Sequence, residues 1–222
     1  KALSTVQDSL GLGASKVDTA YTGMNKAIDT LNEIKVKIVA ANGASNADKA
    51  KYQTEIKALQ DQLKAYADGA TFSGTNALSV DTTTGTAAVG TADPLKIVSA
   101  FNRNASGAAS ISTIDVAVDS IKLYDKSALA AGGGLDATNF ARAGILDQAR
   151  TGDGNKATAL GTAVVLGAAA ATGDTYSVAS LSLVSSAGTA SDTQIKDMLG
   201  VVEGALKDMN TAATNLGAAK TR

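Results

Sequence analysis

Residues 66–78 are YADGATFSGTNAL. Before them the chain keeps a helical beat almost from its first residue. After them it turns to Gly, Thr, Ser and Ala for a long stretch. Phe72, the first Phe of the chain, stands between Gly69 and Gly74. The pattern marks a changeover. Gly69 is expected to take the left-handed conformation that ends a helix. Phe72 is expected to plug the end of a bundle. Gly74 would permit a tight turn that returns the chain toward the helices, with Leu78 behind it.

Upstream of this stretch, Leu3, Leu10, Val17, Met24, Leu31 and Ile38 recur every seven residues. Val6, Gly13, Ala20, Ala27, Ile34 and Ala41 follow each of them by three. That is an a/d seam, its d positions mostly small, and a single helix carrying it would run about 60 Å. Gly11, Gly13 and Gly23 each weaken such a helix by roughly 1 kcal/mol, so packing must support it. Asn42-Gly43 is a stop. Ser45 followed by Asp48 is a capping-box start for a second helix, whose stripe is Tyr52, Ile56, Leu59, Leu63, Tyr66 and Ala70. The short link favours an antiparallel pair. At the far end, Ser191 and Gln194 form a second capping box. Ile195, Val202, Met209 and Leu216 then recur at sevens, with Met198, Ala205, Ala212 and Ala219 between them and Leu199 and Leu206 broadening the stripe. Three seams are buried together most simply if the last helix returns along the first two. Helical phase is already running at Leu3 and still running at Leu216, as if longer helices had been cut.

The middle has a different character. Segment 80–94 is expected to be loop or weak strand, with Pro94 against a central strand. Segment 111–124 alternates as a strand and slips phase at Asp119-Ser120, as a bulge or turn would cause. Segment 177–186, with Val178, Leu181 and Leu183, is a candidate strand, and 135–149 has room for a helical turn. Segments 131–134 and 151–155 are turns.

Composition excludes much. The 222 residues contain no His, no Cys and no Trp. Ser-His-Asp catalysis, HExxH metal sites, thiolate zinc sites and disulfides are therefore out of reach. The segment GDGNKAT (152–158) lacks the Walker A spacing. Paired carboxylates such as Asp115 and Asp119 read more simply as solvated than as an acid/base pair. Aromatics are 4% and net charge is −1, without the basic face that nucleic acid needs. The apolar run at 163–171 is too short to cross a membrane, and the N-terminus has no continuous apolar stretch of a signal peptide. No catalytic, metal or cofactor-binding residue is expected, and no cofactor.

Segments 21–41 and 51–78 resemble bacterial flagellin. In that family a motif of the form F-x-G-x-x-L follows two core helices. Phe72, Gly74 and Leu78 match it here with one extra residue before the Leu, and Gln53, Glu55 and Ile56 resemble the opening of the family's second helix. The end, with Leu216, Gly217, Ala218 and Arg222, is similar to the C-terminal core helix. Segment 119–147 looks like outer-domain entries of rhizobial and related alphaproteobacterial flagellins.

The resemblance implies an α+β fold: an elongated antiparallel helical bundle of two N-terminal helices plus the C-terminal helix, a β-hairpin, and an inserted mainly-β outer domain. The helical inner core would be 1–80 and 188–222, and the outer domain 81–187. It implies a core fragment, monomeric by itself, lacking the terminal polymerisation helices. The intact protein would be an extracellular subunit of the flagellar filament, exported without a cleaved signal peptide. Its partners would be further copies of itself, an export chaperone, and hook-associated and cap proteins. Off-seam polar residues of the first helix are the candidates for contact between copies: Asn25, Lys26, Asp29, Asn32, Glu33, Lys35 and Lys37. Taken singly, each reads more simply as solvated surface. The alternatives are a hook-associated junction protein and a cell-surface adhesin or polysaccharide-binding protein. The latter calls for exposed aromatics, and Phe101, Tyr124, Phe140 and Tyr176 read more simply as core.

Overall fold

The computed structural model describes residues 2–72, 75–81, 95–103, 107, 109–161 and 163–220, with side chains for all of these except 2–14, 75, 95–103, 109–115 and 220. In chain order the elements are α1 (Ala2–Ala41), α2 (Asn46–Gly69), β1 (Thr71–Phe72), β2 (Thr75–Asn76), β3 (Ser79–Val80), β4 (Leu95–Arg103), β5 (Ala109–Val116), α3 (Val118–Ile121), β6 (Tyr124–Asp125), β7 (Val184–Ser185), β8 (Gly188–Thr189) and α4 (Asp192–Lys220).

The heptad spacing becomes one seam. On α1, Val17, Ala20, Met24, Ala27, Leu31, Ile34, Ile38 and Ala41 are all buried. Leu3 and Leu10 lie within α1, and their side chains are outside the described residues. Each large aliphatic of the seam contributes roughly 2 kcal/mol by leaving water. Gly43 ends the helix at φ +77, as a left-handed residue should.

The α1 helix packs against both α2 and α4. Its C-terminal end meets the start of α4, where the Gly43 amide donates to Asp192 Oδ1 at 3.0 Å. Toward the other end Gly217 of α4 lies against Tyr21. Both neighbours therefore run antiparallel to α1. Small d residues allow this close approach.

The caps form as their spacing implies. Ser45 accepts from the Asp48 amide. Ser191 and Gln194 exchange backbone-to-side-chain bonds at 3.3 and 3.0 Å. On α4, Ile195, Met198, Val202, Ala205, Leu206, Met209, Ala212, Leu216 and Ala219 are buried, with Val201 in addition.

On α2 the buried stripe is Lys49, Ile56, Gln60, Leu63 and Ala67, with Ala70 just beyond the helix. Tyr52, Leu59 and Tyr66 are only partly buried. The stripe is displaced because α2 meets α1 on one side and segment 178–183 on another. Gln60 Nε2 donates to the carbonyls of Val178 and Leu181 at 2.9 and 3.0 Å. Gln53 Oε1 accepts from the Leu183 amide at 2.7 Å. These side chains satisfy the backbone of 178–183, so 177–186 is not the expected strand. Only Val184–Ser185 pairs, with Gly188–Thr189.

The changeover after α2 also differs from expectation. Gly69 is the last residue of the helix and has no positive φ; the C-cap is Ala70 at φ −79. The helix stops because side chains take its carbonyls. Asn76 Nδ2 donates to the Ala67 and Asp68 carbonyls at 2.7 and 3.1 Å, and Thr71 Oγ1 donates to Asp68 at 3.0 Å. Asn76 Oδ1 accepts from the Leu78 and Ser79 amides. One asparagine thus fixes both the helix end and the returning strand. Phe72, on β1 opposite Thr75 of β2, is half-buried and does not plug the bundle. Leu78 does, at 0% exposure. A Cβ on Gly23 of α1 would stand 2.9 Å from the Ala70 Cβ and 3.0 Å from Leu78 Cδ1. Glycine at 23 therefore weakens the helix to make room for this plug. Gly74 lies outside the described residues.

The β4–β5 hairpin is antiparallel, with its register shifted between Val98 and Ala100, and β4 lies along α1. The expected break at 119–120 is a helical turn, α3. A short 3-10 turn at Phe140–Arg142 falls within 135–149. The 80–94 segment lies almost wholly outside the described residues. From α3 to α4 the chain is mostly irregular, built from adjoining extended pieces. The Leu78 carbonyl accepts from the Leu123 and Tyr124 amides, Leu123 accepts from Leu146, and Leu146 accepts from Ala179. Ile121, Leu123, Leu146, Val178, Leu181 and Leu183 join the same hydrophobic core as the helical seam.

Candidate subunit-contact surface

The exposed side of α1 is the natural place to look for a surface met by another chain. Of the seven candidate residues, Lys26, Asp29, Asn32 and Glu33 are exposed, and Asn25, Lys35 and Lys37 are partly buried. The lysines reach back across their own chain. Lys35 pairs with Glu203 of α4 at 3.6 Å, Lys37 with Glu55 of α2 at 3.3 Å, and Lys26 lies 5.8 Å from the Tyr66 ring centre. Lys35 and Lys37 thus straddle the two helix–helix grooves, and Asp29, Asn32 and Glu33 remain on the outer surface. Between the two lysines the same face carries Val36, 63% exposed, and Val39, 52% exposed. The sequence shows these valines within NEIKVKIVAAN, but counting seam positions alone treats them as neither core nor polar face.

Among the described residues, most of the buried charges lie in the irregular segment, Lys49 of α2 being the exception. Arg150 is 1% exposed. Its guanidinium donates to the Gly154 carbonyl at 3.1 Å, the Ile145 carbonyl at 3.3 Å and Asp208 Oδ2 on α4 at 2.8 Å. Its backbone pairs with Tyr176 in both directions. Beside it, loop 151–155 lies backbone to backbone on Gly200 and Gly204. A Cβ on Gly200 would strike the Gly152 carbonyl oxygen, and one on Gly204 the Gly154 carbonyl oxygen.

Lys122 Nζ bonds Asp125 Oδ2 at 2.7 Å and pairs with Asp119 at 3.1 Å. Burial works to raise the Asp125 carboxyl, but bonds from Lys122 and Ser127 outweigh it and hold the group below the usual range. Asp147 accepts from the Asp125 amide at 2.9 Å. Burial pushes its carboxyl up to about 6, because that bond and the nearby Lys64 only partly offset desolvation. Burial also raises the Tyr124 hydroxyl, helped by Asp147. No sequence motif points to this cluster. Among the described residues no group of three or more His, Cys, Asp or Glu is placed to hold a metal, and no helix is long and apolar enough to cross a membrane.

A long central helix flanked by two antiparallel helices on a heptad seam, with interior glycines kept for close packing, defines the class as a helical-bundle core. The comparisons specify which kind. Residues 1–83 match the family described as bacterial flagellin N-terminal helical region. Flagellin A of Rhizobium meliloti is 47% identical over 119 residues, 54% of this chain and 28% of that protein. Flagellin C of Rhizobium meliloti (strain 1021) is 38% identical over 227 aligned positions, 100% of this chain and 62% of that protein. The flagellin of Brucella melitensis biotype 1 is 41% identical over 109 residues, 49% of this chain and 35% of that protein. The chain belongs to the bacterial flagellins, a structural family, and is of the rhizobial type. It spans less than two thirds of the length of each of these relatives.

Proposed function

We propose that the intact protein is a structural subunit of the extracellular flagellar filament and acts by self-assembly, without catalysis or cofactor. The observation that carries this is the match to Flagellin C over the whole of this chain, middle segment included. Identical rods that contact one another head to tail without closing a ring build a helical filament. The outer face of α1, with Asn25, Lys26, Asp29, Asn32 and Glu33, supplies contacts to the next copy. Lys35 and Lys37 frame it while bound to Glu203 and Glu55.

The same reading makes 1–80 and 188–222 the inner core and 81–187 the outward insertion. The β4–β5 hairpin is the support for a mainly-β character there. An export chaperone, with hook-associated and cap proteins, completes the set of partners. Immunogold labelling of intact source cells with antibody to this chain tests the reading. Gold along whole flagella is expected. Gold only at the hook junction would reassign the protein to the hook-associated class, and gold on the cell body with bare flagella would overturn the proposal.

A further inference from the structure

The link from α1 to α2 contains Asn42-Gly43. Asn42 is exposed, just past the helix. Gly43 sits at φ +77 with nothing within 4 Å of where a Cβ would be. An uncrowded glycine nitrogen after an exposed asparagine is the arrangement in which the main-chain nitrogen can attack the side-chain amide carbonyl. One bond opposes this. The Gly43 N–H donates to Asp192 Oδ1 at 3.0 Å. That carboxylate is itself held by Lys49 Nζ at 3.4 Å, and the buried Lys49 also donates to the Ala190 carbonyl at 3.1 Å. Attack requires the nitrogen to shed the very proton that Asp192 holds, and to turn away from it.

We infer that Asn42 is a site of spontaneous deamidation, gated in the folded chain by the Asp192–Gly43 hydrogen bond. Gly43 N bonds to Asn42 Cγ, the Cγ–Nδ2 bond breaks, and ammonia leaves carrying the proton lost by Gly43. One water then opens the cyclic imide at either carbonyl, giving aspartate or isoaspartate. Both products place a negative charge at the C-terminal end of α1, where the helix dipole disfavours it. Isoaspartate also adds a methylene to the main chain and draws Gly43 away from Asp192. The reaction therefore loosens the point where three helix ends meet.

The test is peptide mapping by mass spectrometry, with isoaspartate quantified, after incubating the full chain in mildly alkaline buffer. In urea Asn42 should convert readily, and the folded chain should convert more slowly. Asp192→Ala should raise the folded rate about tenfold, the scale of losing a hydrogen bond to a charged acceptor. Ser45→Ala, which loosens the α2 cap in the same link but leaves Asp192 in place, should stay within about twofold of the parent, a fold-change well short of that scale. Equal rates in urea and in the folded chain would overturn the inference, and that comparison needs no variant. Equal acceleration by Ser45→Ala and Asp192→Ala would also overturn it, by showing that general loosening sets the rate.

Discussion

The three-helix seam and the irregular segment between α3 and α4 share one core, yet they are held by different chemistry. In the seam, aliphatic and alanine side chains at seven-residue spacing bury themselves, and the backbone is satisfied within each helix. In the irregular segment the backbone has few regular partners. It borrows side chains instead: Gln53 and Gln60 for 178–183, and Arg150 for 145 and 154. Truncating an apolar side chain in the seam leaves a hole. Truncating a polar one in the irregular segment leaves buried groups unpaired, which costs more per atom.

The largest expected effect follows from that difference. Arg150→Ala strips partners from the Ile145 and Gly154 carbonyls and leaves Asp208 without its cation. We expect a loss of about 4 kcal/mol in urea denaturation, with faster hydrogen exchange concentrated at 145–156. Leu31→Ala, in the middle of the seam, is expected to cost about 3 kcal/mol and to raise exchange along all three helices. If both variants gave the same exchange pattern, the two regions would be one cooperative unit and the contrast would fail.

Asp147 sharpens the comparison through pH. Its carboxyl is raised from 3.8 to about 6 in the fold. The folded chain therefore binds that proton more tightly than the unfolded chain does. The associated stability is whole below about pH 4 and is lost as pH rises through about 6, a change of about 3 kcal/mol. Asp125 is held low by Lys122 and Ser127, so its own contribution falls away only in more acid solution. Asp147→Asn should flatten the slope between these limits and stabilise the chain at neutral pH. An unchanged slope would place the titration elsewhere.

Smaller effects test the margins. Gly200→Ala drives a methyl into the Gly152 carbonyl and should cost about 2 kcal/mol, read in the same denaturation assay. Lys35→Ala removes a half-exposed pair with Glu203 and should change stability by about 0.5 kcal/mol or less. A larger loss there would mean that Lys35 packs as well as pairs.

The bundle is legible because a seven-residue period survives in any sequence that obeys it, down to both capping boxes. The stripe on α2 is legible only in part. Gln60 and Lys49 are buried for their hydrogen bonds, and no apolar period points to a polar residue. The stop after α2 is visible in the sequence, but a glycine near a helix end suggests a left-handed cap at Gly69. Asn76, seven residues later, reaches back to do that job, and such a reach leaves no local signal. Segment 177–186 alternates like a strand, but alternation shows only which side chains go inward. It does not say whether the backbone finds a neighbouring strand or two glutamines. On the candidate surface, the polar positions are visible from helical phase. The inward ties of Lys35 and Lys37, and the exposure of Val36 and Val39, depend on where α2 and α4 lie.

The seat of loop 151–155 on Gly200 and Gly204 is made of main-chain atoms on both sides. A joint of that kind recognises a shape and not a spelling. It demands glycine at a few points and leaves other nearby positions free to vary without loosening the fit. On the proposed reading of 81–187 as an outward insertion, this would separate what anchors the segment from what it displays. The display can be rewritten while the anchor stays the same.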